Sequence, residues 1–564
     1  MSSASFANML LAFILLVYTF LLTHLLGLKM FILLHNWFTP KEVFIPQTGL
    51  SNIIGLAIMS PIIAVYHLFF NIDFVLHLFF ISLVISNLSV IKILLKKLGS
   101  EMLRQKWEYS FLFLAGIVSI TIRPGHGDIA DYHLQGIRWA ENYPNIIGLG
   151  NFNRPLSNNN WWFNLQAFLG LRFLGLKSVY TGNTLFFIAT FLYLLNLKEM
   201  IKGKWFIWIL LAFMVLCLKT AFVGSVTPDF IITCLAFLCG TLYYQYFIEV
   251  SKHKGMLLCI FLLCCFAITV KLNAFPFLFL ALLALWELIQ KKIINVNLIR
   301  FIAIATVFFI PWLIGNIVIS GWLAYPVDSI DLFNVDWKVP KELLQFERFS
   351  IKQWGKNPGE DIYITAQMNF FQWLPKWFAY HDLFNKCLIV TTVISAFVLL
   401  LTKQTYQNKA IRGLFIFAIF GLLFCLSNGP HIRYVFGYML LLIALSVQLL
   451  LARIKAEPPI LAWKFLKIGM IAITLLQATI FIIKQPSQLV FESIIYPKSY
   501  SAEILPLQQM GSKQVIITAN NNSCWDQFPC TYYLIEGCTL RGNSFTDGFK
   551  VVTEINNNNG FVVE

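Results

Sequence analysis

The chain has 564 residues, a formal net charge of +15 and a mean hydropathy of +0.72, and 58% of it is hydrophobic and 16% aromatic. That composition excludes a soluble globular or disordered chain and predicts a polytopic membrane protein. With only 12% of residues charged, the position of the positive charge decides whether it bears on nucleic acid at all.

Apolar runs approaching the length needed to cross hydrocarbon lie at 8–28, 51–70, 74–95, 109–122, 178–197, 205–218, 230–248, 256–270, 274–290, 301–318, 386–402, 413–426, 434–452 and 465–483. The predicted fold is therefore an all-α polytopic membrane protein of about fourteen transmembrane helices, with the shorter runs open to a re-entrant reading. Alternate connections (29–50, 92–108, 198–204, 249–255, 291–300, 403–412 and 453–467) hold 22 Lys and Arg against 6 Asp and Glu. Out of totals of 42 and 27, the rest of the chain keeps 20 and 21, so one side carries +16 and the remainder −1. Cytoplasmic loops collect Lys and Arg, which puts this set inside and leaves no need for a nucleic-acid partner. The N-terminus and the segments 123–177, 219–229, 319–385 and 484–564 then face outward, and the first run, with no basic region before it, reads as an uncleaved helix. This divides the chain into N-terminal helices (1–108), a transmembrane core (109–484) and an outer C-terminal domain (485–564).

Nothing in 1–108 suggests chemistry; His67 and His77 sit on apolar helices, where a neighbouring helix satisfies such a side chain. The next outer segment is different. RPGHGDIADYHLQGIRWAENY gathers Asp128, Asp131, Tyr132 and His133, and in an α-helix the three-residue spacing places both carboxylates on one face. Arg138 to Tyr143 reads as an amphipathic or interfacial helix and Trp161-Trp162-Phe163 as an aromatic belt at the headgroup layer. Capping, or pairing with Arg123, Arg138 or Arg154, is the structural alternative for the two Asp residues.

In VGSVTPDF, Asp229 follows Thr-Pro at the start of a run and suits a helix N-terminus. Lys271, between two apolar runs in ITVKLNAFP, either snorkels or meets an anion. The second large outer loop mixes Trp, Tyr and Pro with Asp328, Asp331 and Asp336, a composition shared by carbohydrate sites and ordinary interfacial loops. YITAQMNFFQWLPKWFAYHD reads as a second interfacial helix. In SNGPHIRYVFGYM, His431, Arg433 and Tyr434 fall at the outer boundary of a span, where a planar guanidinium suits phosphate. Eight of the eleven Cys fall in or beside apolar runs, whereas CWDQFPC in the tail offers a short disulfide, Cys524 to Cys530, on an oxidising face. QVIITANN and FKVVTEI read as strands of a small α/β or β-rich domain, and no nucleotide-binding glycine pattern is present.

The layout resembles the GT-C class of membrane glycosyltransferases, polytopic enzymes that take a sugar from a polyprenyl-phosphate carrier at the outer face of the bacterial cytoplasmic membrane. The runs D-I-A-D-Y-H-L, WWF, TPD, KLNAFP, AYPV, HIRY and CWDQFPCT…LRG…DGF also resemble, in that order, a family of bacterial polytopic proteins with a D-x-x-x-Y-H-L outer-loop motif. The resemblance implies that Asp128 is the acidic residue of the first large outer loop, with Asp131 second. Three helices precede that loop here, whereas the usual GT-C plan has one.

The expected function is transfer of a sugar from a polyprenyl-phosphate donor to a glycan, lipid or protein acceptor in cell-envelope polysaccharide biosynthesis. Asp128 would take the acceptor proton, and Lys271 and Arg433 would hold the departing phosphate. Arg154, His431, His133, Tyr132 and Asp229 complete the candidate site. No cofactor is demanded, and a divalent cation such as Mg or Mn bridging carboxylate and phosphate is the alternative. A polysaccharide polymerase or ligase would lean more on Arg than on Asp128. A lipid-carrier flippase would need ionisable residues along the span interiors, and a sensor would need none of these groups.

Overall fold

A computed structural model describes residues 3–552 except 39–43, 87, 122–127, 175–178, 201–204, 220–221, 249–251, 290–293, 357–360, 460, 485–506, 519–523 and 526. Arg123 therefore lies outside the described residues. The chain is a bundle of apolar helices, capped at one end by polar loops and a small strand-bearing tail.

Among the described residues eight helices are long and apolar enough to cross a membrane, not fourteen; they include Leu50–His67, Pro228–Ile248, Leu383–Leu401, Lys409–Asn428 and Ile432–Arg453. Within the described residues, Phe74–Ile85, Trp205–Cys217 and Phe277–Ile289 run for 12 or 13 residues, about 20 Å at helical rise. Lys106–Thr121 and Lys254–Val270 reach 16 and 17 residues. An apolar run does not count the residues that a turn or a polar site takes from its ends.

Helix contacts use small residues. Ser3–Phe38 crosses Leu50–His67 where a Cβ on Gly27 would lie 1.9 Å from the Ser51 carbonyl oxygen and one on Gly55 2.1 Å from that of Thr23. The backbones can meet only because both are glycine. The buried polar groups beside the crossing satisfy one another: the Asn52 amide donates to the Phe20 carbonyl (2.7 Å) and Thr23 Oγ1 (3.0 Å), and His24 Nδ1 is 2.7 Å from Ser51 Oγ.

The tail folds where strands were expected. β1 (Leu507–Met510) and β2 (Lys513–Ile517) form a hairpin through Gly511, β3 (Cys530–Thr531) adds parallel to β2, and β4 (Cys538–Leu540) pairs with β5 (Phe549–Val551). It shares one core with the first polar loop: Trp139, Phe152 and Leu156 pack with Val515, Phe545 and Phe549. Burying each such aromatic ring contributes about 1.5–3 kcal/mol. A glycine clasp fixes the register. Gly148 (φ +66°) and Gly548 (φ +92°) let the two backbones touch, and the Phe549 N–H donates to the Ile147 carbonyl at 2.9 Å.

Two local expectations change. Leu134–Asn142 is a helix packed between bundle and tail, with Ile137, Trp139 and Ala140 buried, and does not lie on a surface. Trp161, Trp162 and Phe163 are buried as well, since the Trp162 indole donates to Asn183 at 2.9 Å inside the bundle. Asp328, Asp331 and Asp336 are paired with Arg348, Lys338 and Arg541. Ile362–Gln367 and Phe370–Tyr380 do form an amphipathic pair, Phe371 outward and Trp373 and Trp377 inward.

Candidate functional site

Four charged side chains from four separate segments meet at the end of the bundle nearest the tail. Asp229 lies in the first turn of Pro228–Ile248, where Pro228 supplies the first helical residue and the helix dipole favours a carboxylate. Lys271 closes Lys254–Val270, its N–H donating to the Ala267 carbonyl, again with the favourable sign for a cation at a helix C-terminus. Arg433 lies in the first turn of Ile432–Arg453, where the dipole opposes its charge. It is held by carboxylates instead.

Asp229 is the centre: Lys271 Nζ donates to Oδ1 at 2.5 Å, and Arg433 Nε stands 3.1 Å from Oδ2. Another guanidinium nitrogen of Arg433 donates to Asp128 Oδ2. The Asp229 side chain is 4% exposed and that of Asp128 31%, so one carboxylate is buried under two cations and the other is partly exposed. Tyr434 completes the arrangement, with Lys271 Nζ 4.1 Å above its ring and the Arg433 guanidinium 5.3 Å away. His431 caps the same helix, its Nδ1 accepting from the Arg433 N–H at 3.3 Å, which fixes the entry of Arg433.

The expected common face of Asp128 and Asp131 is not what forms. Residues Ile129–His133 make a π-helical turn, whose wider winding carries the two carboxylates to different surroundings. Asp128 goes to Arg433, while Asp131 acts on Tyr532 in the tail. Tyr132 stays with the charged group: burial first, then the Asp128 carboxylate, pushes its phenol well above its ordinary value. His133 is buried between Tyr132 and Phe163, within electrostatic reach of Asp229.

Arg154 has other partners. It is buried against Glu347, Nε to Oε2 2.6 Å, with Phe346 and Tyr533 rings at 4.3 and 5.1 Å. Burial opposes its charge, but Tyr533 and the Glu347 carboxylate raise its pKa overall. This is a clamp joining both polar loops to the tail. The tail also grips the π-helical segment: the Trp525 N–H donates to the Ala130 carbonyl (3.0 Å), Gln135 donates to the Gln527 carbonyl (2.7 Å), and the Cys530 N–H donates to Gln135 Oε1 (3.2 Å). The Cys524–Cys530 disulfide closes the gripping loop.

Beside the charges, an apolar groove with about 460 Å³ of open space runs along Phe213, Leu216, Phe230, Phe384 and Phe436 to Asp229 and Arg433. Asn273, two residues beyond Lys271, keeps both ends of its buried amide without a partner among the described residues. Among the described residues no three His, Cys, Asp or Glu side chains converge as a metal site, and the two carboxylates present share one guanidinium, a donor set that does not fit a resident divalent ion.

Reading by sequence passed over Glu347, whose pairing with Arg154 spans 193 positions, and gave Asp229 no priority over an ordinary helix start. A Thr-Pro-Asp start together with a Lys at the end of the next helix was the available signal for Asp229. No curated protein and no solved structure matches the chain. A family model described as a domain of unknown function (DUF8201) matches residues 9–440, and the chain belongs to that family.

Proposed function

We propose that this protein is a membrane glycosyltransferase that moves a sugar from a polyprenyl-phosphate donor to a glycan, lipid or protein acceptor at the outer face of the cytoplasmic membrane. One observation carries the reading: Lys271 and Arg433 meet on Asp229, Asp128 joins them through Arg433, and Asp229 and Arg433 line an apolar groove. A lipid phosphate needs both environments at once, cations for its head and hydrocarbon for its tail. The tail disulfide, at home in an oxidising compartment, supports the outward placement.

The donor phosphate takes up the Arg433 and Lys271 donors, releasing Asp128 from the guanidinium. The acceptor hydroxyl oxygen then attacks the anomeric carbon, and the sugar–phosphate C–O bond breaks with its electron pair leaving on the phosphate. The hydroxyl proton passes to Asp128, the exposed carboxylate. Lys271 and Arg433 balance the charge that grows on the phosphate oxygens, and Asp229 keeps both cations in place. A polymerase or ligase acting on a lipid pyrophosphate would use the same cations without needing Asp128.

The test is transfer of labelled sugar from polyprenyl-phosphate sugars to cell-envelope acceptors by the full chain in nanodiscs. Asp128→Asn is expected to lower the rate by about 10²–10⁴-fold and Lys271→Ala to abolish it, with normal expression. Unchanged transfer, or unchanged surface glycans in cells carrying either variant, would remove the enzyme reading.

A further inference from the structure

A second pocket, with about 430 Å³ of open space, lies between Leu134–Asn142, the start of Trp161–Leu169 and the ends of Leu50–His67 and Ile294–Ser320. Its polar wall is made of five amides, Asn145, Asn158, Asn159, Asn160 and Asn164, beside His67, with no Asp, Glu, Lys or Arg among its lining residues. The hydrogen bonds these residues make leave capacity over. Asn158 and Asn159 donate through Nδ2 to the carbonyls of Pro155 and Trp312, keeping Oδ1, and Asn160 accepts through Oδ1 from the Trp162 N–H, keeping Nδ2.

The apolar wall includes Trp139 and Phe163. Trp139 is 2% exposed, and its indole N–H has no partner among the described residues. Two glycines hold the space open. A Cβ on Gly315 would lie 2.5 Å from Asn159 Nδ2 and 3.4 Å from Asn145 Nδ2, and one on Gly136 2.7 Å from the Phe163 ring.

We infer that this pocket is a binding site for a neutral saccharide, the sugar end of the acceptor. An anionic ligand would meet no Lys or Arg here, and an acyl chain would strand five amides. A pyranose matches both walls, since its hydroxyls pair with carboxamides that donate and accept, and its C–H faces lie on aromatic rings. The pocket adjoins the charged group through Phe163, whose ring is 5.2 Å from His133, itself within reach of Asp229. The assignment as acceptor subsite rests on the glycosyltransferase reading, but binding of a sugar here does not.

The test uses the full chain in nanodiscs and diazirine-bearing neutral methyl hexopyranosides and N-acetylhexosamines at millimolar concentration. Labelling is expected within residues 139–164, to fall about tenfold in Asn145→Leu with Asn164→Leu, and to persist in Asp128→Asn. Neither asparagine donates or accepts a side-chain hydrogen bond within the described protein, so the leucines remove pairing capacity alone. Absence of labelling in the unaltered chain, labelling elsewhere, or labelling indifferent to the two leucines in folded protein would overturn the site. Labelling as expected with no sugar transfer would overturn the glycosyltransferase reading and leave the pocket standing.

Discussion

Asp229 and Arg433 each stand in the first turn of a long apolar helix, and the guanidinium Nε of one lies 3.1 Å from the carboxylate of the other. Two helix starts that share a sign of dipole are thus joined by side chains of opposite charge. The pair also fixes Lys271, so three helices are registered by one buried carboxylate.

Asp229→Asn should therefore be a stability variant before it is anything else. It leaves Lys271 and Arg433, both only partly buried, with half their counter-charge gone, at a cost toward the low end of about 3–5 kcal/mol. Thermal unfolding in nanodiscs checks this, and Asp128→Asn, at a more exposed position, should unfold close to the unaltered protein. Equal midpoints for all three proteins would show that Asp229 does not hold the cations.

Arg154→Met should loosen the tail without touching the charged group. It strands the Glu347 carboxylate, 2.6 Å away, and removes the stacking on Phe346 and Tyr533. Limited proteolysis should cut the tail sooner, and adding Glu347→Leu should recover part of the protection because no charge is then left buried. A double variant worse than Arg154→Met would contradict the clamp.

Acid should loosen the tail at a second place. Hydrogen bonds from Arg541, 2.9 and 3.1 Å, hold the Asp336 carboxyl below the usual carboxylate range. A depressed folded pKa means the contribution is full above the unfolded value, near 3.9, and is lost as pH falls through the folded one. Amide exchange of β5 followed from neutral pH downward should rise in that acidic window, by a small amount for an exposed pair, and Asp336→Asn should remove the dependence.

Cys524→Ser should act on the loop that presents Asp128. The disulfide closes a ring with sequence separation 6, worth about 2 kcal/mol to the gripping loop. Its loss should speed exchange at the Trp525 N–H and across residues 129–135 and lower transfer, as should a reductant on the unaltered protein. Exchange confined to the tail would break the proposed link between grip and site.

The helical membrane class, the tail strands and the Cys524–Cys530 bridge were legible because each has a local cause: apolar length, alternating β-branched residues, and paired thiols in an oxidising setting. The meeting of residues 128, 271 and 433 could be anticipated only as a demand of burial, since a cation at membrane depth must find an anion. Asp229 was ambiguous because a carboxylate in a first turn is also an ordinary cap. The WWF run misled because buried aromatics and interfacial ones have the same composition, and only the Asn183 acceptor distinguishes them. The π-helical turn has no sequence mark at all, yet it separates Asp128 from Asp131.

The hold of residues 525–530 on Ala130 and Gln135 has an outcome for biogenesis. Ribosomes deliver this grip after the long apolar helices of the described residues, so the segment bearing Asp128 waits for the last-made part of the chain before it can settle. Chains halted upstream of residue 524 would carry the bundle without the hold on residues 130 and 135, so maturation of the protein would be timed by synthesis and bridging of its final portion.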